Sequence, residues 1–529
     1  MISCLMSEDL YEKLNKLSES DVYPFHMPGH KRQDLRSEIL GDEENNIIDG
    51  RQEKQWYPEK LDITEIDGFD NLHHTTGILK EINEQLAALY GIKNVRMLVG
   101  GSTTGILAAI FATLHPGDII LLARNCHMSV YHAALLSHAK VKFLYPERSG
   151  VVFVENVKKA FEEDPDIKEV IITDPTYEGM KSDIHAISEI VHENKALLLV
   201  DAAHGAHLMK SILFSEPEFE NTETSNNQDK EESINNFASN NKLNSKNLSR
   251  QRGRVSNAIE IRFPHHPIDD GADIAVSSLH KTLPALTGTA EILFSDALPK
   301  EIVQKTDDAI DIFETSSPSY IMMASISNCT EFLEKKGKIA YAKYENRLKK
   351  FYKETAKFDF PKVLTSEKRD PSKIVILAGN GVSGYEIMDI LRRKYHLELE
   401  EASENYCLAM TSIMDTDEGF RRLKNALVEL NKRYKKKQVA ENTSMLPDFE
   451  MLDGKIDVLY DFSSYYFANR SKVSDDRSIG KVAAGFVKIY PPGVPFIFPG
   501  LKITEDMVKY IEAAKKSGAE IIGQIDDEA

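Results

Sequence analysis

The sequence predicts an α/β fold: a seven-stranded, mostly parallel sheet covered by helices, then a smaller α+β domain and a C-terminal segment. Two observations carry this. Strand-like runs at 95–99, 118–123, 141–145, 169–173, 196–201, 273–277 and 290–294 alternate with stretches of helical periodicity. The runs are also largely apolar, as strands covered on both faces must be. A length of 529 residues is enough for two to three such domains.

Residues 1–75 form an N-terminal segment that reads as irregular, with no domain-sized wing ahead of the sheet. From Gly77 the pattern turns regular: Ile78, Ile82, Leu86 and Leu89 recur at helical spacing and the run stops at Gly91. The large domain takes 76–330. Inside it, 215–257 are rich in Asn, Ser, Glu and Lys, with too few apolar residues to offset the entropy of ordering, and read as a flexible surface insertion. Residues 331–440 form the small domain, with a strand at 373–377 and a helix near 385–394. Its last helix ends in the basic run Arg433-Tyr434-Lys435-Lys436-Lys437, read as a solvated terminus. Residues 441–529 form the C-terminal domain, in which Tyr490-Pro491-Pro492-Gly493-Val494-Pro495 marks a rigid connection.

A formal net charge of -18 argues against nucleic-acid binding and slightly favours cationic substrates. Cys4, Cys126, Cys329 and Cys407 form no CxxC pair, which fits a reducing cytoplasm and offers no zinc site. No run approaches a membrane span, and the N-terminus lacks the pattern of a signal peptide. His73 and His74 stand beside carboxylates but without metal-ligand spacing, so no metal is expected.

Five stretches each follow a strand-like run, and open α/β sheets bind ligands at that edge. Gly100-Gly101-Ser102-Thr103-Thr104-Gly105 opens a helix whose free amides and hydroxyls suit a phosphate; without a Lys before Ser/Thr it is not a P-loop. His127 can lie on a planar ring or cap a helix. Thr173 to Gly179 form a strand end and a proline turn. Asp201, after an apolar strand, is costly to bury unless paired; a protonated pyridine or a helix start would each pair it. Lys281 follows Ser277 and Ser278 and carries an amine able to condense with an aldehyde cofactor. Together these meet the needs of pyridoxal 5'-phosphate.

The chain resembles the Orn/Lys/Arg decarboxylases, in the compact bacterial branch that includes biosynthetic arginine decarboxylases. The resemblance rests on PFHMPGHK (24–31), TEIDGFDNLHH (64–74), GSTTG (101–105), RNCHMS (124–129), DPTYEG (174–179), VDAAHGAH (200–207), SSLHKTLPALTG (277–288) and YPPGVP (490–495). It implies the aspartate-aminotransferase fold (fold type I of the pyridoxal-phosphate enzymes). Lys281 matches the lysine that carries the cofactor, Asp201 the partner of the pyridine nitrogen, and His127 the histidine stacked on the ring. Ser102, Thr103, Ser278 and His280 match phosphate-site positions, Thr104 adjoins them, and His204 matches a position near the ring. A homodimer is implied, with Ser316 and Ser317 reaching the neighbour's cofactor.

The expected activity is decarboxylation of lysine, arginine or ornithine, lysine and arginine ahead of ornithine, within polyamine biosynthesis. The alternatives are an aminotransferase, which needs an arginine for the α-carboxylate, and a catalytically idle homologue. Glu65, Asp67 and Asp70 are the first candidates to meet the substrate's distal cation, with Glu178 next. Two features depart from the family: Glu178 replaces an aromatic residue, and the insertion lengthens the interval from Asp201 to Lys281.

Overall fold

The computed structural model describes residues 10–19, 60–213, 261–365, 369–379, 381–434, 447, 449–453, 459–472, 477–490, 493–523 and 526–528. The PFHMPGHK stretch, the 215–257 insertion, Lys435 to Lys437 and Pro491-Pro492 lie outside them.

Seven strands build the large sheet: β1 (Asn94–Leu98), β2 (Ile119–Ala123), β3 (Lys140–Leu144), β4 (Ile167–Thr173), β5 (Leu197–Asp201), β6 (Ile274–Ser277) and β7 (Ala290–Phe294). The small domain has β8 (Lys362–Val363), β9 (Lys373–Leu377), β10 (Glu401–Ala402) and β11 (Tyr406–Met410), in the order β10-β11-β9-β8. The C-terminal segment adds β12 (Tyr460–Asp461) to the outer edge of the large sheet, so eight strands stand in the order β1-β7-β6-β5-β4-β2-β3-β12. The pairs β2–β3, β2–β4, β4–β5 and β5–β6 are parallel, whereas β7 runs antiparallel to both β6 and β1. It follows that β1, β2, β4, β5 and β6 all end on one edge. Thr173 pairs with Asp201, and Asp201 with Val276, so neighbouring strand ends stand level.

The irregular reading of residues 1–75 needs correction. Leu10–Ser18 is a helix, and Leu72–His74 a 3-10 turn capped by Asn71. Nine residues make a marginal helix alone, but Leu10 and Leu14 are wholly buried against the core. The helix Tyr320–Thr355 runs 36 residues, crosses position 330 unbroken, and joins the large domain to the small one. On the near face of the small sheet, Val375, Leu377, Tyr406 and Leu408 form a second apolar cluster against Tyr177.

Arg124, directly after β2, is fully buried. Its Nε donates to Asp453 at 2.8 Å, Nη1 donates to Tyr131 and the Pro495 carbonyl, and Nη2 donates to the Phe496 carbonyl at 2.9 Å. Burial works against the charge, but Asp453 more than offsets that and holds the guanidinium above its ordinary pKa. This pair locks the C-terminal segment onto the sheet.

Candidate active site

Each strand end at the common edge delivers one group. After β6 the backbone turns at once into the short helix Leu279–Thr282, which raises Lys281 above the sheet. Its Nζ lies 3.1 Å from Nε2 of His204 and 5.9 Å from the centre of the Tyr177 ring. Tyr177 and His204 pack at 4.3 Å between ring centres. Burial lowers the Lys281 pKa, against the opposing pull of Asp201 and Glu400. Burial likewise drives the His204 imidazole well down, helped by the charges of Lys281 and Lys373.

Asp201 ends β5 and is buried, accepting from the Ala203 amide at 3.1 Å. Burial raises its carboxyl and Lys281 pulls it back. A cationic partner beyond the strand end would favour the anion further. His127 takes the capping role of the two expected. It caps the helix Met128–Leu136 through Nδ1, which accepts from the Ser129 amide at 3.2 Å. Desolvation, then Lys281 and Lys488, push this imidazole down to about 4. Gly493 closes over it: its φ is +88°, and an added Cβ would stand 3.4 Å from the ring.

The helix Gly101–Thr113 has no side-chain N-cap, and Gly101 takes the left-handed conformation (φ +76°) that starts it. Ser102 is half-buried and Thr103 exposed, whereas Thr104 is buried with its hydroxyl on the Gly100 carbonyl at 3.2 Å. Across the edge, the Ser277 hydroxyl pairs with His266 at 3.1 Å, while the Ser278 hydroxyl is buried with no partner among the described residues. His280 places Nδ1 on the Thr289 carbonyl at 2.9 Å. An orphaned hydroxyl and an uncapped helix start both suit a phosphate, and an amine with a buried carboxylate acting on its charge suits a pyridine aldehyde. The residues present therefore suit pyridoxal phosphate.

The structure removes two candidates for the substrate's cation. Asp70 accepts from the amides of Asn71, Thr76, Gly77 and Leu79, so it organises its own loop. Glu178 is buried, accepting from Thr176 at 2.9 Å and from Tyr406 at 2.7 Å. Tyr406 also lies 2.7 Å from Glu401, and a phenol has one proton to donate. One carboxyl of the pair must therefore carry a proton of its own. Arg369, a buried arginine of the small domain, donates to the Leu364 and Glu178 carbonyls at 3.0 and 2.8 Å. His73 bridges Asp311 and the Thr315 carbonyl, a structural role. Among the described residues no cluster could hold a metal ion, and no helix is long and apolar enough to cross a membrane.

Sequence reasoning missed Glu400, Lys373 and the Arg124–Asp453 pair. Glu400 sits in an acidic run that looks like solvated surface, and Lys373 opens a strand, where a lysine reads as edge.

Two family models match: "Orn/Lys/Arg decarboxylase, major domain" over residues 8–248, and "Orn/Lys/Arg decarboxylase, C-terminal domain" over 464–524. The chain is 29% identical over 524 residues to the Bacillus subtilis protein YaaO, covering 95% of this chain and 93% of that one. It is 26% identical over 538 residues to an arginine decarboxylase of Bacillus anthracis, covering 98% and 95%. In fold it is similar to the lysine decarboxylase LdcF of Francisella novicida, with TM-score 0.70 at 17% identity over 98% of this chain and 81% of that one.

Proposed function

The chain belongs to the Orn/Lys/Arg decarboxylase family, and from that premise we propose that it uses pyridoxal phosphate to decarboxylate a basic amino acid. The substrate would be lysine, arginine or ornithine, and the products the corresponding amine and CO2. The contact between Lys281 Nζ and His204 Nε2, beside buried Asp201 at the sheet's ligand edge, carries the reading.

Lys281 would hold the cofactor, Asp201 its ring nitrogen and His127 its ring face. Ser278 and the helix start at Ser102 and Thr103 would hold its phosphate. When bound, pyridoxal phosphate supplies an electron sink for the pair left on Cα as CO2 departs. The buried Asp201 carboxylate would favour a proton on the ring nitrogen. His204, neutral through burial, leaves the Lys281 amine free of competing charge. With its own pKa lowered, Lys281 can return a proton from Nζ to Cα. His127, also neutral near pH 7, offers a ring face rather than a second cation.

An aminotransferase would need a free cation for the substrate's α-carboxylate, and Arg369 is committed to carbonyl oxygens. CO2 release assayed separately with lysine, arginine and ornithine tests the proposal. Turnover of at least one is expected, and a loaded enzyme inert on all three overturns it.

A further inference from the structure

Two neighbouring residues of the loop after β4 meet two neighbouring residues of the small domain. The Tyr177 hydroxyl donates to Glu400, and Glu178 meets Glu401 through Tyr406. Backbone contacts complete the seam. Met180 pairs with Arg369 in an antiparallel bridge, the Asp370 amide donates to the Gly179 carbonyl at 2.7 Å, and Arg369 holds the Glu178 carbonyl. The loop therefore belongs to the small domain as much as to the sheet it leaves. What it carries to the site is the Tyr177 ring, 4.3 Å from that of His204 and 5.9 Å from Lys281 Nζ.

Glu178, Glu401 and Tyr406 are all buried, and the phenol oxygen stands 2.7 Å from a carboxyl oxygen on either side. Both contacts are hydrogen bonds only if one acid donates to the phenol while the phenol donates to the other. The surroundings decide which. Glu178 also accepts from Thr176 at 2.9 Å and faces the Arg369 charge, so it is the carboxylate. Glu401 faces Glu178 and Glu400 as like charges, and its Oε2 has no partner among the described residues, so it is the acid. Tyr385, on the helix Gly384–Tyr395, also faces Glu401. Burial, then Tyr510, Glu404 and Glu401, push its phenol up to about 12, so it adds no charge.

Loss of the Glu401 proton would leave two desolvated anions on either side of one phenol, with a single donor between them. We propose that Glu178 and Glu401 are positioning residues whose shared proton holds the loop on the small domain and keeps the Tyr177 ring on His204 beside Lys281. Burial, then the Glu178 charge, pushes Glu401 up to about 8 from an ordinary 4.5. The hold is complete at lower pH and is lost as pH rises through that value. Its effect on turnover rests on the decarboxylase reading; its effect on the loop does not.

The test compares the cofactor-loaded wild type with Glu401→Gln and Glu178→Gln from pH 6 to pH 9.5. Each variant keeps one carboxyl of the pair and cannot build the second charge. Two quantities are followed: kcat/KM with a basic amino acid, and hydrogen exchange of the 174–180 backbone. Comparing proteins at one pH cancels the intrinsic pH dependence of exchange. At pH 6.5 the three should protect the loop to within about twofold. At pH 9 the wild-type loop should exchange about tenfold faster than that of either variant. Its kcat/KM, scaled to the value at pH 6.5, should be about tenfold lower than theirs. Either variant alone decides, should the other not fold. Equal exchange and coincident pH profiles overturn the proposal, and loosening with coincident kcat/KM profiles overturns the positioning role. A loop that loosens as expected in an enzyme that turns over no basic amino acid keeps the hold and overturns the decarboxylase reading.

Discussion

The amine nitrogen of Lys281 stands 3.1 Å from Nε2 of His204, and only one of the two can donate. His204 is held neutral, so its ring carries a single proton. Its other nitrogen, Nδ1, is buried with no partner among the described residues. The arrangement keeps the lysine oriented without giving it a rival charge.

Lys281 should be the residue that borohydride joins to pyridoxal phosphate. Peptide mapping after reduction is expected to find the pyridoxyl group there, and Lys281→Ala should abolish both labelling and turnover. Label on Lys373, the other buried lysine nearby, would reverse the site assignment.

Asp201→Ala should leave a folded protein that still takes up cofactor and loses most of its kcat, by about a hundredfold or more. A lost charge-assisted contact to the ring nitrogen acts on chemistry more than on binding. A variant with near-normal kcat would remove Asp201 from this role.

Ser278→Ala should weaken cofactor retention about tenfold, the worth of one hydrogen bond to a charged group. Because the hydroxyl has no partner among the described residues, its loss should leave the melting temperature almost unchanged. A drop in stability with unchanged retention would mean that the hydroxyl serves the fold instead.

Stability should fall as pH rises through neutrality. Burial pushes Glu169, Glu291 and Glu401 each up to about 8, from an ordinary value of 4.5. Between those values the folded chain holds protons that the unfolded chain has released, so stability is greatest below 4.5 on this account and is lost on approach to 8. Glu401→Gln keeps the protonated shape without the ionisation. Its melting temperature should decline less between pH 6 and pH 8.5 than that of the wild type; equal slopes would be evidence against a protonated Glu401.

Asp453→Ala should cost about 3–5 kcal/mol, because it strands the buried Arg124 charge. Pairing Arg124→Met with Asp453→Leu should recover much of that loss. Denaturant midpoints for the three proteins decide the matter, and a harmless single substitution would mean that Arg124 finds other partners.

The large sheet was legible because fully covered strands leave apolar runs: Ala290–Phe294 coincides with its expected bounds, and the other six differ by one or two residues. The gathering of residues at one edge was legible wherever a residue ends such a run or closely follows it, as Asp201, His127 and Lys281 do. Features that depend on tertiary partners were not. Two residues of β12 carry no pattern, and Leu10–Ser18 is a helix because the core receives Leu10 and Leu14. The pattern of charges along the chain was equally uninformative: Asp70 turns inward to four amides, while Glu400, in an ordinary acidic run, reaches Tyr177.

Arg124 and Asp453 lie 329 positions apart. During synthesis the arginine therefore emerges long before its counter-charge, and before the Pro495 and Phe496 carbonyls that complete its hydrogen bonds. A growing chain cannot seal this edge of the sheet by itself, since the charge has no partner to enter the core with. A stretch made 329 positions after the arginine is thus the one that lets this edge of the sheet close. Chains stopped before residue 449 should stay open to protease at the β2–β3 edge, however complete their cofactor residues.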